Sequence, residues 1–181
     1  MRRVFFVLPA LLFAACGNDA PTSNGDCEET PGIAYRTDGQ LTFFRADSTE
    51  IKEIAIEVVD TDSTRGRGLM ARKCFPDDWG MLFVFPEERS QAFYMANTPR
   101  SLDIMYFAAD STLINAAKYT MPNSLDNVIS DGPAQFVVET PAGFVDRYGL
   151  APGDHINWTF DSAESLAESE ETPVMDSSLV N

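Results

Sequence analysis

The chain has 181 residues and is strongly acidic, with 28 Asp and Glu against 13 Lys and Arg and a formal net charge of −15. This length fits one domain with additional segments at its ends. An acidic surface repels phosphate backbones and anionic lipid headgroups, so the composition argues against a protein that binds nucleic acid.

The first residues predict an export signal. Met1–Arg3 is positively charged and Val4–Ala15 is apolar, but this run is too short to span a bilayer. Small residues directly before Cys16 resemble the bacterial lipobox, in which the cysteine is acylated after cleavage. We therefore predict a signal peptide at residues 1–15 and a membrane anchor at Cys16, since two acyl chains suffice for stable attachment. The alternative is an ordinary secretory peptide cleaved at Ala15.

Residues 16–39 have the composition of a flexible tether, so the protein is expected to be lipid-anchored in the bacterial cell envelope. In that oxidising compartment, Cys27 and Cys74 form an even pair, which predicts a disulfide. Two free thiols are the alternative.

Residues 40–160 carry the apolar-polar alternation and turn residues typical of short strands. The predicted strands are Gln40–Ala46, Ile51–Val59, Met81–Phe85, Gln91–Thr98, Leu102–Phe107, Leu113–Thr120, Gln135–Thr140 and His155–Phe160. Asp62 or Ser63 is expected to cap a short helix at residues 64–73, and Pro141 to begin another at residues 142–148. The pattern predicts a single, mainly β domain resembling a small antiparallel barrel or sandwich, with α+β as the alternative.

Residues 161–181 are acidic and poor in apolar side chains, so they are expected to form a disordered tail. We expect the protein to be a monomer.

Several motifs in the domain resemble one known family. They are Arg65–Met70, Gly80–Phe85, Met95–Thr98, Leu102–Ile104, Val138–Glu139, Pro141–Gly143 and Gly149–Asp154. Together they are similar to the bacterial and archaeal family called domain of unknown function 192. Tyr94 and Ala96 stand where this family usually has tryptophan and lysine, and Ser101 replaces a proline. The resemblance implies a small, mainly β domain that is often exported or lipid-anchored, with no assigned reaction.

Asp103 and Glu139 are the carboxylates predicted within apolar strands, and they could be neighbours in space. If both were buried, at least one pKa would rise and the pair could supply acid and base catalysis. An enzyme of this kind would most plausibly hydrolyse envelope glycans. The competing interpretation is structural, with Arg65 or Arg67 neutralising one of the two carboxylates.

Methionines suggest a third possibility, because thioethers bind Cu(I). They are scattered one per element, which favours core packing instead. These methionines are Met70, Met81, Met95, Met105 and Met121. The single histidine, His155, and two cysteines do not make a tetrahedral zinc set, so no metal and no cofactor is expected.

We therefore expect a non-enzymatic binding or accessory module that meets a small ligand or an envelope protein. The candidate ligand-binding residues are Trp79, Tyr94, Met95, Asn97, Thr98 and Asp103. The glycan hydrolase and the copper-binding protein remain as alternatives.

Overall fold

The computed structural model describes residues 35–161. The predicted signal peptide, Cys16, Cys27, most of the tether and the predicted tail beyond Asp161 lie outside the described residues. The strands are β1 (Gly39–Phe44), β2 (Glu50–Val59), β3 (Trp79–Arg89), β4 (Ala92–Phe93), β5 (Leu102–Phe107), β6 (Leu113–Ala117), β7 (Val128–Ile129), β8 (Ala134–Pro141) and β9 (His155–Phe160). The helices are α1 (Asp62–Arg67) and α2 (Phe144–Tyr148).

Seven strands form one sheet in the order β6-β5-β8-β3-β2-β1-β9, and β4 pairs with β7 in a separate two-stranded sheet. The mainly β prediction is therefore confirmed. The sheet is mixed rather than antiparallel, because β2 and β3 run parallel. A parallel pair needs a long crossover, which residues 60–78 provide with α1.

The large sheet is not a closed barrel. Its two edge strands approach each other through a single isolated bridge between Thr112 and His155. Along the rest of their length, β6 and β9 do not pair with each other.

Alternating side chains place two apolar clusters on the two faces of this sheet, as expected for strands buried on both sides. One cluster is covered by α2 and includes Leu41, Ile56, Leu82, Met105, Val138 and Phe144. The other lies on the opposite face and includes Leu69, Met81, Phe83, Met95, Ile104 and Val137. We call them the α2-side core and the α1-side core.

Helix α1 is shorter than predicted and begins at a different cap. Thr61 caps it, forming a capping box with Thr64. The helix ends at Arg67 and is followed by the C-cap Gly68, whose φ of 45° and ψ of −132° leave the helical region. Because glycine tolerates positive φ and other residues rarely do, Gly68 allows the helix to stop at Arg67, six residues before the predicted end at Lys73.

The middle run of the aromatic stretch, Gln91–Thr98, is not one strand. Only Ala92–Phe93 is extended, and the chain then turns at Asn97, whose φ is 55°. Strand β3 instead continues past its predicted end at Phe85 to Arg89. Pro141 belongs to β8, so α2 starts later than predicted, after Gly143. Within residues 35–161, no helix is both long and apolar enough to cross a membrane.

Candidate functional site

The structure places Asp103 and Glu139 on opposite faces of the sheet. Asp103 stands across from Thr140, and Ile104 stands across from Glu139. Directly opposed residues share a face, whereas successive residues alternate. Asp103 therefore points into the α2-side core and Glu139 into the α1-side core. A glycosidase needs both carboxylates flanking one cleft, so this pair does not form the hydrolytic site considered above.

Asp103 has a structural role, because its carboxylate connects three segments of the chain. Its side chain is fully buried. Its Oδ1 accepts a hydrogen bond from the backbone N–H of Tyr119 at 2.9 Å. Its Oδ2 accepts from the N–H groups of Gly143 at 3.1 Å and Val145 at 2.9 Å. These bonds fix the start of α2 and the loop after β6 onto β5, because hydrogen bonds to a carboxylate are stronger than neutral ones.

Glu139 is also buried, but its carboxyl group is not hydrogen-bonded as that of Asp103 is. Only 5% of the residue is exposed. Across the described part of the chain, its carboxyl group has no hydrogen bond and no ion pair. Burial disfavours the charged form and raises the pKa of Glu139 to about 8. The carboxyl group is consequently mostly protonated at neutral pH and can donate a hydrogen bond.

A pocket of about 210 Å³ opens onto Glu139. Its walls are residues 65–70 at the end of α1, Phe83 of β3, residues 92–94 of β4, and Thr98. Phe83 and Phe93 pack edge to face with ring centroids 5.0 Å apart. Leu69 is 2% exposed. The wall is thus largely apolar, with Glu139 and Thr98 as its buried polar residues.

The two arginines on the pocket wall differ in their partners. Arg65 donates to the carbonyl oxygens of Asp60 and Val84 and pairs with Asp62 at 2.6 Å. Arg67 is exposed and, within the described residues, has no hydrogen bond or ion pair. The expected neutralisation of Asp103 or Glu139 by Arg65 or Arg67 is therefore not formed.

The buried ion pair of this region joins two other residues. Arg72 donates to both carboxylate oxygens of Glu57, at 2.7 and 2.9 Å, and the guanidinium lies over the ring of Trp79. This pair was missed because Glu57 occupies a polar position in the alternation of β2, which indicates an exposed side chain. The α1-side core covers that face as well, so Glu57 is only 2% exposed.

Two of the six candidate ligand-binding residues, Tyr94 and Thr98, line the pocket. Met95 is buried, and its sulfur accepts a hydrogen bond from Thr120 at 3.3 Å. Asn97 forms the turn described above, and its carbonyl accepts from the N–H of Ala71 at 2.7 Å.

Trp79, another candidate ligand-binding residue, is only 1% exposed, because it packs against the rings of Tyr35 and Phe75. Its indole N–H donates to the carbonyl of Arg36 at 2.9 Å. A second, more polar pocket of about 380 Å³ lies beside it. Leu69 and Phe83, which line the pocket over Glu139, were not among the predicted site residues. The glycines Gly66 and Gly68 beside Leu69 are a sequence signal for that residue.

The methionines do not form a cluster at the surface. Met81, Met95 and Met105 are each at most 1% exposed. In residues 35–161, no group of three or more His, Cys, Asp and Glu side chains could hold a metal ion. Cys74 takes part in a disulfide. Its predicted partner, Cys27, lies outside the described residues, so that pairing stays a prediction.

Three similar proteins were found by comparison. A "UPF0127 protein" of Thermococcus sibiricus is 24% identical over 116 residues, which are 63% of this chain and 72% of the relative. A crystal structure of a Sinorhizobium meliloti 1021 protein described as a "putative transcription regulator" has a TM-score of 0.65 and 31% identity, covering 70% of this chain and 98% of that one. A protein of unknown function from Novosphingobium aromaticivorans DSM 12444 has a TM-score of 0.64 and 26% identity, covering 71% of this chain and 90% of that one.

The family model DUF192, described as "Uncharacterized ACR, COG1430", matches residues 43–158. That range contains the whole of β2 to β8, both helices and every residue of the pocket over Glu139. It confirms the resemblance seen in the sequence motifs. The chain therefore belongs to the uncharacterised DUF192 family.

Proposed function

We propose that this protein is a lipid-anchored envelope protein that binds a small, partly apolar molecule in the pocket over Glu139. One observation carries the binding role, namely a buried carboxyl group that lacks a protein partner and faces an open pocket. A bound molecule can take a hydrogen bond from Glu139 in place of the solvent in the pocket. Burial of the ligand against Leu69, Phe83 and Phe93 adds to its affinity.

The pocket favours binding over catalysis. Besides Glu139, the titratable groups on its wall are Arg65, Arg67 and Tyr94. Hydrolysis by paired carboxylates needs a second acidic group, and Asp103 lies across the sheet. A role in transcription is not carried over from the Sinorhizobium meliloti protein, because a net charge of −15 opposes contact with DNA phosphates.

Binding can be tested with three small probes of equal length and different charge, namely octanoate, 2-octanone and octylamine. Each is titrated into the 15N-labelled protein, and the amide signals of its glycines are followed by NMR. Gly66 and Gly68 line the pocket, whereas Gly149 ends α2 on the other face. Saturable shifts at Gly66 and Gly68, with Gly149 unchanged, support the proposal. If none of the three probes produces them, the binding role is wrong.

The anchor is proposed from the sequence around Cys16 and has its own test. Cells producing the wild type, Cys16→Ser and Cys27→Ser are fractionated, and the protein is quantified by immunoblot in membrane and soluble fractions. We expect Cys16→Ser to move to the soluble fraction, because it cannot be acylated, and the Cys27→Ser control to stay with the membrane. Equal membrane retention of Cys16→Ser would rule out the lipid anchor.

A further inference from the structure

We propose that the pocket over Glu139 selects a small anion that also carries an uncharged hydrogen-bond acceptor. The acceptor, a carbonyl or hydroxyl oxygen, takes a hydrogen bond from the carboxyl group of Glu139, while the acidic group of the same molecule pairs with Arg67. This inference rests on the proposed binding function and specifies the chemistry of the ligand.

The ligand group that contacts Glu139 should be a hydrogen-bond acceptor. The strand neighbours of Glu139 are the apolar residues Met81 and Ile104. Tyr106, on the same face, donates its hydroxyl proton to the carbonyl of Val128 at 2.9 Å and therefore offers Glu139 no donor. The charged groups that face the pocket are Arg65, which is held by other partners, and Arg67 at the mouth. The Glu139 carboxyl group thus meets no base, and as a protonated acid it donates one hydrogen bond.

The ligand group that contacts Arg67 should be negatively charged. Arg67 is the last residue of α1, is exposed and has no partner among the described residues. This chain has more than twice as many acidic as basic residues, yet Arg67 on the pocket wall has no acidic partner among the described residues. A guanidinium group binds a carboxylate through two parallel hydrogen bonds. Because Arg65 already pairs with Asp62, Arg67 is the cation that remains available.

The middle of the pocket sets the size of the ligand. A volume of about 210 Å³ corresponds to the liquid volume of about seven water molecules. Besides Glu139 and Arg67, the pocket wall includes the apolar side chains of Leu69, Phe83 and Phe93. A short apolar chain with an oxygen at one end and an acid at the other matches this arrangement.

The probe for this inference is 7-oxooctanoate, which has both groups. Its matched controls are octanoate, which lacks the ketone, and 2-octanone, which lacks the acid. At pH 6.5 we expect 7-oxooctanoate to bind about tenfold more tightly than either control, the gain from one added strong hydrogen bond or ion pair. Dissociation constants follow from the Gly66 and Gly68 amide shifts, and 4-oxopentanoate and 5-oxohexanoate test the distance between the two groups.

Two substitutions assign the ends of the ligand. Arg67→Gln should remove the advantage of 7-oxooctanoate over 2-octanone. Arg147→Gln removes an equal charge from α2, where the weak pair with Asp77 at 3.5 Å is exposed, and should leave the advantage intact.

Glu139→Gln keeps a donor but cannot ionise. Its affinity for 7-oxooctanoate should not change with pH, whereas that of the wild type should fall about tenfold per pH unit above pH 8.

Tighter binding of octylamine than of 7-oxooctanoate would overturn the inference, as would an unchanged advantage in Arg67→Gln. Either result would leave the proposed binding function standing, because a probe still occupies the pocket. Failure of every probe to shift Gly66 and Gly68 would instead contradict the proposed function itself.

Discussion

Replacing Glu139 with glutamine should stabilise the protein increasingly as the pH rises. In the unfolded chain this carboxyl group loses its proton near pH 4.5, whereas burial holds the folded-state pKa at about 8. A raised folded-state pKa contributes stability that is fully present below pH 4.5 and is lost as the pH rises to about 8. A pKa difference between 4.5 and about 8 corresponds to about 5 kcal/mol at most. Glutamine has the same shape but stays neutral, so it avoids this loss.

Urea unfolding at several pH values between 4.5 and 8.5 measures the effect, with tryptophan fluorescence as the signal. Trp79 is buried and Trp158 packs on Phe136, so both should report unfolding. Subtracting the wild type from the Glu139→Gln variant cancels the other titrating groups. The exposed Glu87 provides a control, Glu87→Gln, that should change stability little. A Glu139→Gln difference that stays constant over this pH range would refute the reasoning.

Three further predictions concern stability and can be checked by the same unfolding measurements. Asp103→Asn should cost about 3 kcal/mol, because both carboxylate oxygens accept backbone hydrogen bonds and either orientation of the amide opposes an NH2 group to a backbone N–H; a cost below 1 kcal/mol would contradict this structural role. Glu57→Gln should cost about 3–5 kcal/mol, since it leaves Arg72 buried opposite a neutral group, and a neutral effect would argue against that pair. Gly68→Ala should cost about 1–3 kcal/mol at its φ of 45°, whereas Gly66→Ala, which has open space, should stabilise α1 by up to about 1 kcal/mol. Equal effects of the two glycine substitutions would show that backbone conformation is not the cause.

Local patterns in the sequence predict the strands well. His155–Phe160 was predicted with the bounds it has, and β2 begins one residue before its predicted start. Alternating apolar residues and the turn at residues 152–154 suffice for β9, because side-chain alternation is a property of the strand itself. The same patterns do not predict where a single residue with positive φ changes the chain direction, as Gly68 does after α1 and Asn97 does after β4.

Long-range pairing could not be predicted from those patterns. Nothing local in β2 and β3 shows that they run parallel, because direction depends on the crossover between them. The separation of Asp103 from Glu139 has the same origin. Both lie in apolar strands, and only the register of β5 against β8 places them on opposite faces.

The partners of charged residues depend on this register too. Arg65 or Arg67 was expected to pair with one of the strand carboxylates, because an unpaired buried charge is costly. Arg72 forms the buried pair instead, because it follows the turn after Gly68 and reaches Glu57 on β2. Glu139 has no protein partner among the described residues and lines the candidate pocket.

The most direct test of this account is the titration of Glu139 itself. The 13C signal of its carboxyl carbon can be followed by NMR from pH 4 to 10, first in the free protein and then with saturating 2-octanone. The account predicts a pKa of about 8 in the free protein and a higher pKa with the ketone bound, because the ligand accepts the proton of the carboxyl group. A pKa near 4.5, unchanged by the ketone, would contradict it.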